Sequence, residues 1–226
     1  MTIGRGSVLS VATSVGIAVG IYGISFGALS VTAGFDLWQT MALSILMFSG
    51  GSQFAFVAVF ATGGLASLPA AITSAWLVGV RNGFYALSQA PIIGPRGMMK
   101  VLAAQLTIDE STAVSASRDS LDEKKKGFWL TGISVFIFWN LATVLGALIG
   151  GLLSDPKVFG LDAAAAAALF ALVWPRIQKS VGALIAATSI VLSVIFSLVL
   201  PSGFPVLASA GIAVALGFWL ERRRNE

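Results

Sequence analysis

Seven runs of apolar residues, each 17 to 26 residues long, take up most of the 226-residue chain: Val8–Val31, Leu37–Thr62, Leu65–Ala90, Phe128–Leu153, Val158–Trp174, Ser180–Leu200 and Phe204–Leu220. A bilayer core roughly 30 Å thick takes about 20 helical residues at 1.5 Å each. None of the runs alternates with period two, so a β-barrel is a poor fit. Backbone polar groups in lipid must then be satisfied inside helices. Composition agrees: 11% of the residues are charged and mean hydropathy is +0.91. A soluble domain carries roughly 25% charged residues, and this chain lacks the polar groups to coat a water-soluble particle. The expectation is an all-α, polytopic integral membrane protein forming a single transmembrane domain over residues 1–226. The first run is too long for a signal-peptide core and lacks an A-x-A site, so it is expected to stay as a membrane helix.

The number of crossings turns on one long connection, Pro91–Gly127. It contains a moderately apolar stretch, Met98–Ser117, that carries Lys100, Gln105, Asp109 and Glu110. If that stretch stays on one side, there are seven crossings with the N-terminus outside. The split of Lys and Arg is then 11 inside to 2 outside. If it crosses, there are eight crossings with the N-terminus inside, and the split is 10 to 3. The positive-inside rule accepts both. Two acids near mid-segment make a spanning helix costly, so the seven-crossing reading is preferred, with 98–117 a cytoplasmic amphipathic or re-entrant element. Either way Arg222–Arg224 puts the C-terminus inside. Two internal echoes, Phe26–Leu29 with Leu145–Leu148 and Ala70–Thr73 with Ala183–Ala186, suggest that the first three runs repeat as the next three. Under seven crossings that repeat is inverted, a common transporter plan.

The chain has neither Cys nor His. This removes thiolate and imidazole chemistry and Cys/His metal sites. No P-loop and no intramembrane nucleophile–base pair is present, so neither an enzyme nor a cofactor is expected. The net charge of +4 fits a cytoplasmic basic bias rather than nucleic-acid binding.

Three places carry candidate function. Ser49-Gly50-Gly51-Ser52-Gln53 lies inside the second run. Paired glycines weaken a helix, and a break there would offer free N–H groups and a positive dipole end to a carboxylate. The alternative is close helix packing, with Gln53 bonding across helices. Arg81, followed by Asn82, is the one basic residue well inside a run. It would pair with a substrate carboxylate or with Asp109 or Glu110, or snorkel. The Asp109-Glu110 pair would bind an amino group or take up a coupling proton, or form a solvated helix face. Trp139 and Asn140 read as structural, Asn140 bonding to another helix. The glycines at 16, 20, 23 and 27 and those at 146 and 150 read as packing seams.

The series Ile24-Ser25-Phe26-Gly27-Ala28, Ser49-Gly50-Gly51-Ser52-Gln53-Phe54, Val80-Arg81-Asn82, Leu106-Thr107-Ile108-Asp109-Glu110 and Trp139 with Thr143 and Gly146 resembles the AzlC family of branched-chain amino acid exporters. The likeness runs in order through nearly the whole chain. It departs at Ile108, inserted between Thr107 and Asp109, and at Asn82, where members often carry His. The resemblance implies a large subunit in the bacterial inner membrane. It implies a small four-helix, AzlD-like partner and export of leucine, isoleucine, valine and sometimes methionine, driven by an ion gradient. Under that reading Gly50, Gly51, Ser52, Gln53, Arg81 and Asn82 bind substrate, Asp109 and Glu110 couple or gate, and access alternates. The rival reading is a non-transporting scaffold subunit.

Overall fold

The computed structural model describes residues 7–152, 170, 174, 177–178, 180–200 and 204–225. All the regular structure among them is helical: α1 (Val8–Thr32), α2 (Leu37–Leu46), α3 (Gly51–Gly63), a 3-10 turn (Gly64–Ser67), α4 (Leu68–Ile93), α5 (Met99–Gln105), α6 (Asp109–Ala116), α7 (Leu121–Leu152), α8 (Ser180–Ser197) and α9 (Phe204–Asn225). The expected run Val158–Trp174 lies outside the described residues apart from 170 and 174, as do Asp155, Lys157, Arg176 and Lys179. Three stretches are long and apolar enough to cross a bilayer: Val8–Thr32, Gly51–Ile93 and Leu121–Leu152. The chain is a helical membrane protein.

The helix ends follow from local chemistry. Asp36 and Gln39 form a reciprocal cap on α2: Asp36 Oδ1 accepts from the Gln39 N–H at 2.7 Å, and Gln39 Oε1 from the Asp36 N–H at 3.0 Å. Pro69 opens α4, and Gly94, left-handed at φ 60°, closes it.

The frame of the bundle is the seam between α1 and α7. Gly16 lies against Ser134, Gly20 against Phe138, Gly23 against Ala142 and Gly27 against Ala147. Both sets of numbers rise together, so the two helices run parallel. At Gly27 an added Cβ would strike the Thr143 carbonyl, and at Gly146 the Ile24 carbonyl. Glycine at these positions is what lets the two backbones approach so closely.

The run 37–62, expected to cross, turns back instead. Near the start of α2, Thr40 Oγ1 donates to Ser30 Oγ at 2.8 Å, by the end of α1. The far end of α2 reaches mid-α7, where the Phe48 and Phe136 rings meet at 5.0 Å. From there α3 returns. Phe54 packs against Phe26, and Phe60 lies 4.5 Å from Phe35, just past the end of α1. The turn is made at Gly50, whose φ of 59° and ψ of −80° are open only to glycine. The second run is therefore a hairpin, and α4 starts at the end of the bundle where α1 finished.

Residues 98–117 form a second hairpin, from the opposite end. The start of α5 shares a cavity wall with the end of α4 and the start of α7. The turn between α5 and α6 lies deeper, with Leu106 against Gly132. α6 then returns, bringing Val114 against Gly127. This geometry corrects two expectations. Seven crossings required α1 and the fourth run to be antiparallel. They are parallel because the second run turns back. For the same reason, the two helices that head the expected inverted repeat are not inverted relative to each other. Beyond this core, α8 and α9 pair antiparallel, Gly217 lying by Ile185, and α9 touches α4.

Candidate functional site

The tips of the two hairpins meet beside the midpoints of all three long helices. Gln105 Nε2, at the end of α5, donates to the Ile45 carbonyl at the end of α2, at 2.6 Å. Between the tips lies a cavity of about 300 Å³, at the lower end of the range typical of small-molecule sites. The first tip contributes Ser49, Gly50 and Gly51, and the second Ile108, Asp109 and Glu110. Arg81 reaches in from mid-α4. The remaining wall is apolar and aromatic: Val19 and Tyr22 from α1, Phe48, Phe54, and Val135 and Trp139 from α7.

Gln53 holds the first tip in shape. It is fully buried. Its Oε1 accepts from the Gly50 N–H at 3.1 Å, and its Nε2 donates to the Leu43 carbonyl at 3.0 Å. One side chain thus ties the start of α3 to α2 and satisfies the Gly50 N–H freed by the break; the Leu43 carbonyl also accepts the Met47 N–H at 3.0 Å. The Ser49 and Ser52 hydroxyls pair at 3.0 Å. The α-helical ladder of α3 begins with the Phe54 N–H donating to the Gly50 carbonyl. The amides of Gly51, Ser52 and Gln53 come before it and have no carbonyl one turn back. They give the cavity a positive helix end.

The second tip is built the same way with the opposite charge. Ser111 Oγ accepts from the Ile108 N–H at 3.1 Å and donates to the Leu106 carbonyl at 2.7 Å. α6 then opens with two carboxylates, Asp109 and Glu110, in its first turn, where they complement the helix dipole. Asp109 Oδ2 also makes an ion pair with Arg81 Nη1 at 2.8 Å. That bridge ties the second tip to α4 and leaves Glu110 as the carboxylate outside the pair. Asp109 Oδ1 and Arg81 Nε are buried without partners.

Of the expected site residues, Gly50, Gly51, Arg81, Asp109 and Glu110 share this cavity. Gln53 faces α2 rather than the cavity, and Ser52 lines a groove on the other side of the tip. Asn82 is not on the cavity wall, and its Oδ1 is buried without a partner. Asn140, expected to bond to another helix, donates to the Phe136 carbonyl of its own helix at 2.8 Å. Trp139, read as structural, both lines the cavity and packs with Phe26 and Phe54. The apolar lining residues carried no signal that set them apart from other apolar residues in their runs. Among the described residues no group of three or more Asp or Glu could hold a metal ion.

A family model described as AzlC protein matches residues 14–153. The match spans α1 to α7, and so the whole cavity. No curated protein and no solved structure matches the chain.

Proposed function

The chain belongs to the AzlC family, and from that membership we propose that it is the large subunit of a proton-coupled exporter of branched-chain amino acids working by alternating access. The observation that carries this reading is the cavity itself. A cation, two carboxylates and an open helix N-terminus converge on one side of it, and an aliphatic and aromatic wall closes the other. A zwitterion with an apolar side chain matches that division. Its carboxylate meets the amide end of α3, and its ammonium meets Glu110. Its side chain lies against Val19, Phe54, Val135 and Trp139. Arg81 and Asp109 already neutralise each other, so Glu110 is the group assigned to the coupling proton. One methylene more or less in an apolar pocket changes binding by about 1–3 kcal/mol, so leucine, isoleucine, valine and methionine should all be carried.

Arg96, Lys100, Arg118 and Lys124–Lys126 all belong to the end of the bundle where α4 finishes and α7 starts. By the positive-inside rule that end is assigned to the cytoplasm of the bacterial inner membrane. By the same rule the basic Arg222–Arg224 assigns the C-terminus to the cytoplasm. A small AzlD-like subunit is assigned as partner.

The test is amino acid efflux from cells fed leucine- and valine-containing dipeptides, with this chain expressed alone and with the small subunit. Faster efflux of branched-chain amino acids that a protonophore abolishes is the expected result. Unchanged efflux with both chains present in the membrane would sink the substrate assignment.

A further inference from the structure

A second cavity lies at the end of the bundle assigned to the cytoplasm. It holds about 470 Å³ between the end of α4, α5 and the start of α7, within the range typical of small-molecule sites. Two exposed cations, Arg96 and Lys100, stand on it, and among the described residues no Asp or Glu does. The positive-inside rule accounts for both cations, but not for Gln89. That side chain lines the cavity one turn before the end of α4. It is 4% exposed, and its Oε1 is buried with no hydrogen-bond partner. A buried amide oxygen without a donor is costly, and a donor brought by a ligand removes that cost. α4 also ends on this wall, at Ile93 and Gly94, which brings the negative end of its dipole there.

Cations beside an acceptor and a negative helix end match a zwitterion better than a simple anion. Alanines and Phe128 make the rest of the wall apolar. The cavity also adjoins the central one. Thr107, at the tip between α5 and α6, lines this cavity, and the next residue, Ile108, lines the central one. The second hairpin tip is therefore the partition between them. We propose that this cavity is a loading site for the exported amino acid. Arg96 and Lys100 take its carboxylate, Gln89 Oε1 takes its ammonium, and Phe128 and the alanines take its side chain, on the cytoplasmic side of the tip. The inference rests on the exporter reading above. A phospholipid headgroup offers the same pairing of an anion with a donor, so the test separates the two.

The chain has no cysteine, so a single one reports on a single cavity. Ala90→Cys samples the cytoplasmic cavity and Tyr22→Cys the central one. Each chain, with the small subunit, is placed in phosphatidylcholine nanodiscs and treated with a water-soluble thiosulfonate. The expected result is that leucine slows modification at both positions. Leucinamide and isocaproate, each lacking one of leucine's two charges, should not protect position 90. Gln89→Leu, added to Ala90→Cys, should raise the leucine concentration for half-protection about tenfold or more, as for a lost hydrogen bond to a charged group. It should leave the unfolding temperature unchanged or higher, because an unpaired amide gives way to an apolar group of similar size. A lower unfolding temperature would mean that Gln89 already has a protein partner, and overturns the site. So does protection of position 22 alone, or a position 90 that the reagent never reaches. Protection of position 90 by added phosphatidylglycerol or phosphatidylethanolamine, and not by leucine, gives the cavity to lipid. Protection at neither position by leucine overturns the substrate reading, and the loading site with it.

Discussion

Gln53 holds the first hairpin tip with a fully buried side-chain amide. In the sequence it marks a place where a polar partner must exist, and a substrate answers that as well as a backbone does. In the structure both ends of its amide are committed to the chain's own break. Gln53→Ala leaves the part-buried Gly50 N–H unpaired, at about 1–3 kcal/mol, and removes the tie to the Leu43 carbonyl, which keeps its bond from the Met47 N–H. The expected outcome is a lower unfolding temperature in detergent together with lost export, where a pure ligand residue would lose export alone. Arg81 stood out in the sequence because a charge in a membrane run is costly. Its partner was one of two adjacent acids that sequence could not separate. The ion pair with Asp109 is partly exposed, so it should be worth more than the roughly 0–1 kcal/mol of a surface pair and less than the 3–5 kcal/mol lost on breaking a buried one. In a double-mutant cycle, Arg81→Ala with Asp109→Ala should destabilise less than the two single changes summed. Glu110 stands outside that pair. Glu110→Gln should retain exchange of leucine across a vesicle membrane without a gradient but lose export driven by one. Gln keeps a side-chain oxygen for the substrate ammonium, so loss of both would show that the Glu110 charge is needed for binding and not for coupling alone.

At the scale of elements, hydropathy found every helical stretch in the core but not the direction of two of them. A hairpin of two half-length helices and one full-length helix share the same composition. What separates them in the second run is one torsion angle at Gly50 and one side chain at Gln53. The glycines of the α1–α7 seam were legible as a packing face, since small residues four apart have few other uses in lipid. Their partner and its direction were not, because the seam joins segments more than a hundred residues apart. Gly146→Ala places a methyl against the Ile24 carbonyl, while Gly151→Ala meets nothing within 4 Å. Thermal unfolding should therefore show Gly146→Ala destabilised by about 1–3 kcal/mol, as overpacked cores are, and Gly151→Ala unchanged or slightly stabilised by helix propensity. Equal effects would mean that the seam is looser than described.

For the whole molecule, the hairpins set the topology. Residues 33–36 and 64–67 belong to one face and 94–98 and 117–120 to the other, whereas a crossing second run would separate the first two. Ala33→Cys and Ala66→Cys should both react with a membrane-impermeant maleimide in intact cells, and Ala116→Cys only after the membrane is opened. Labelling of one but not the other of the first pair would restore the crossing that the sequence suggested. The meeting of two half-depth hairpins also fixes where the membrane voltage falls. If water fills the space above each tip, most of the potential drops across the thin layer where the tips touch. A zwitterion passing that layer carries no net charge and is indifferent to the field. A proton carried through it on Glu110 gains or loses about 2.3 kcal/mol per 100 mV. The work available for export is then set by the electrical part of the proton gradient as well as by its pH part.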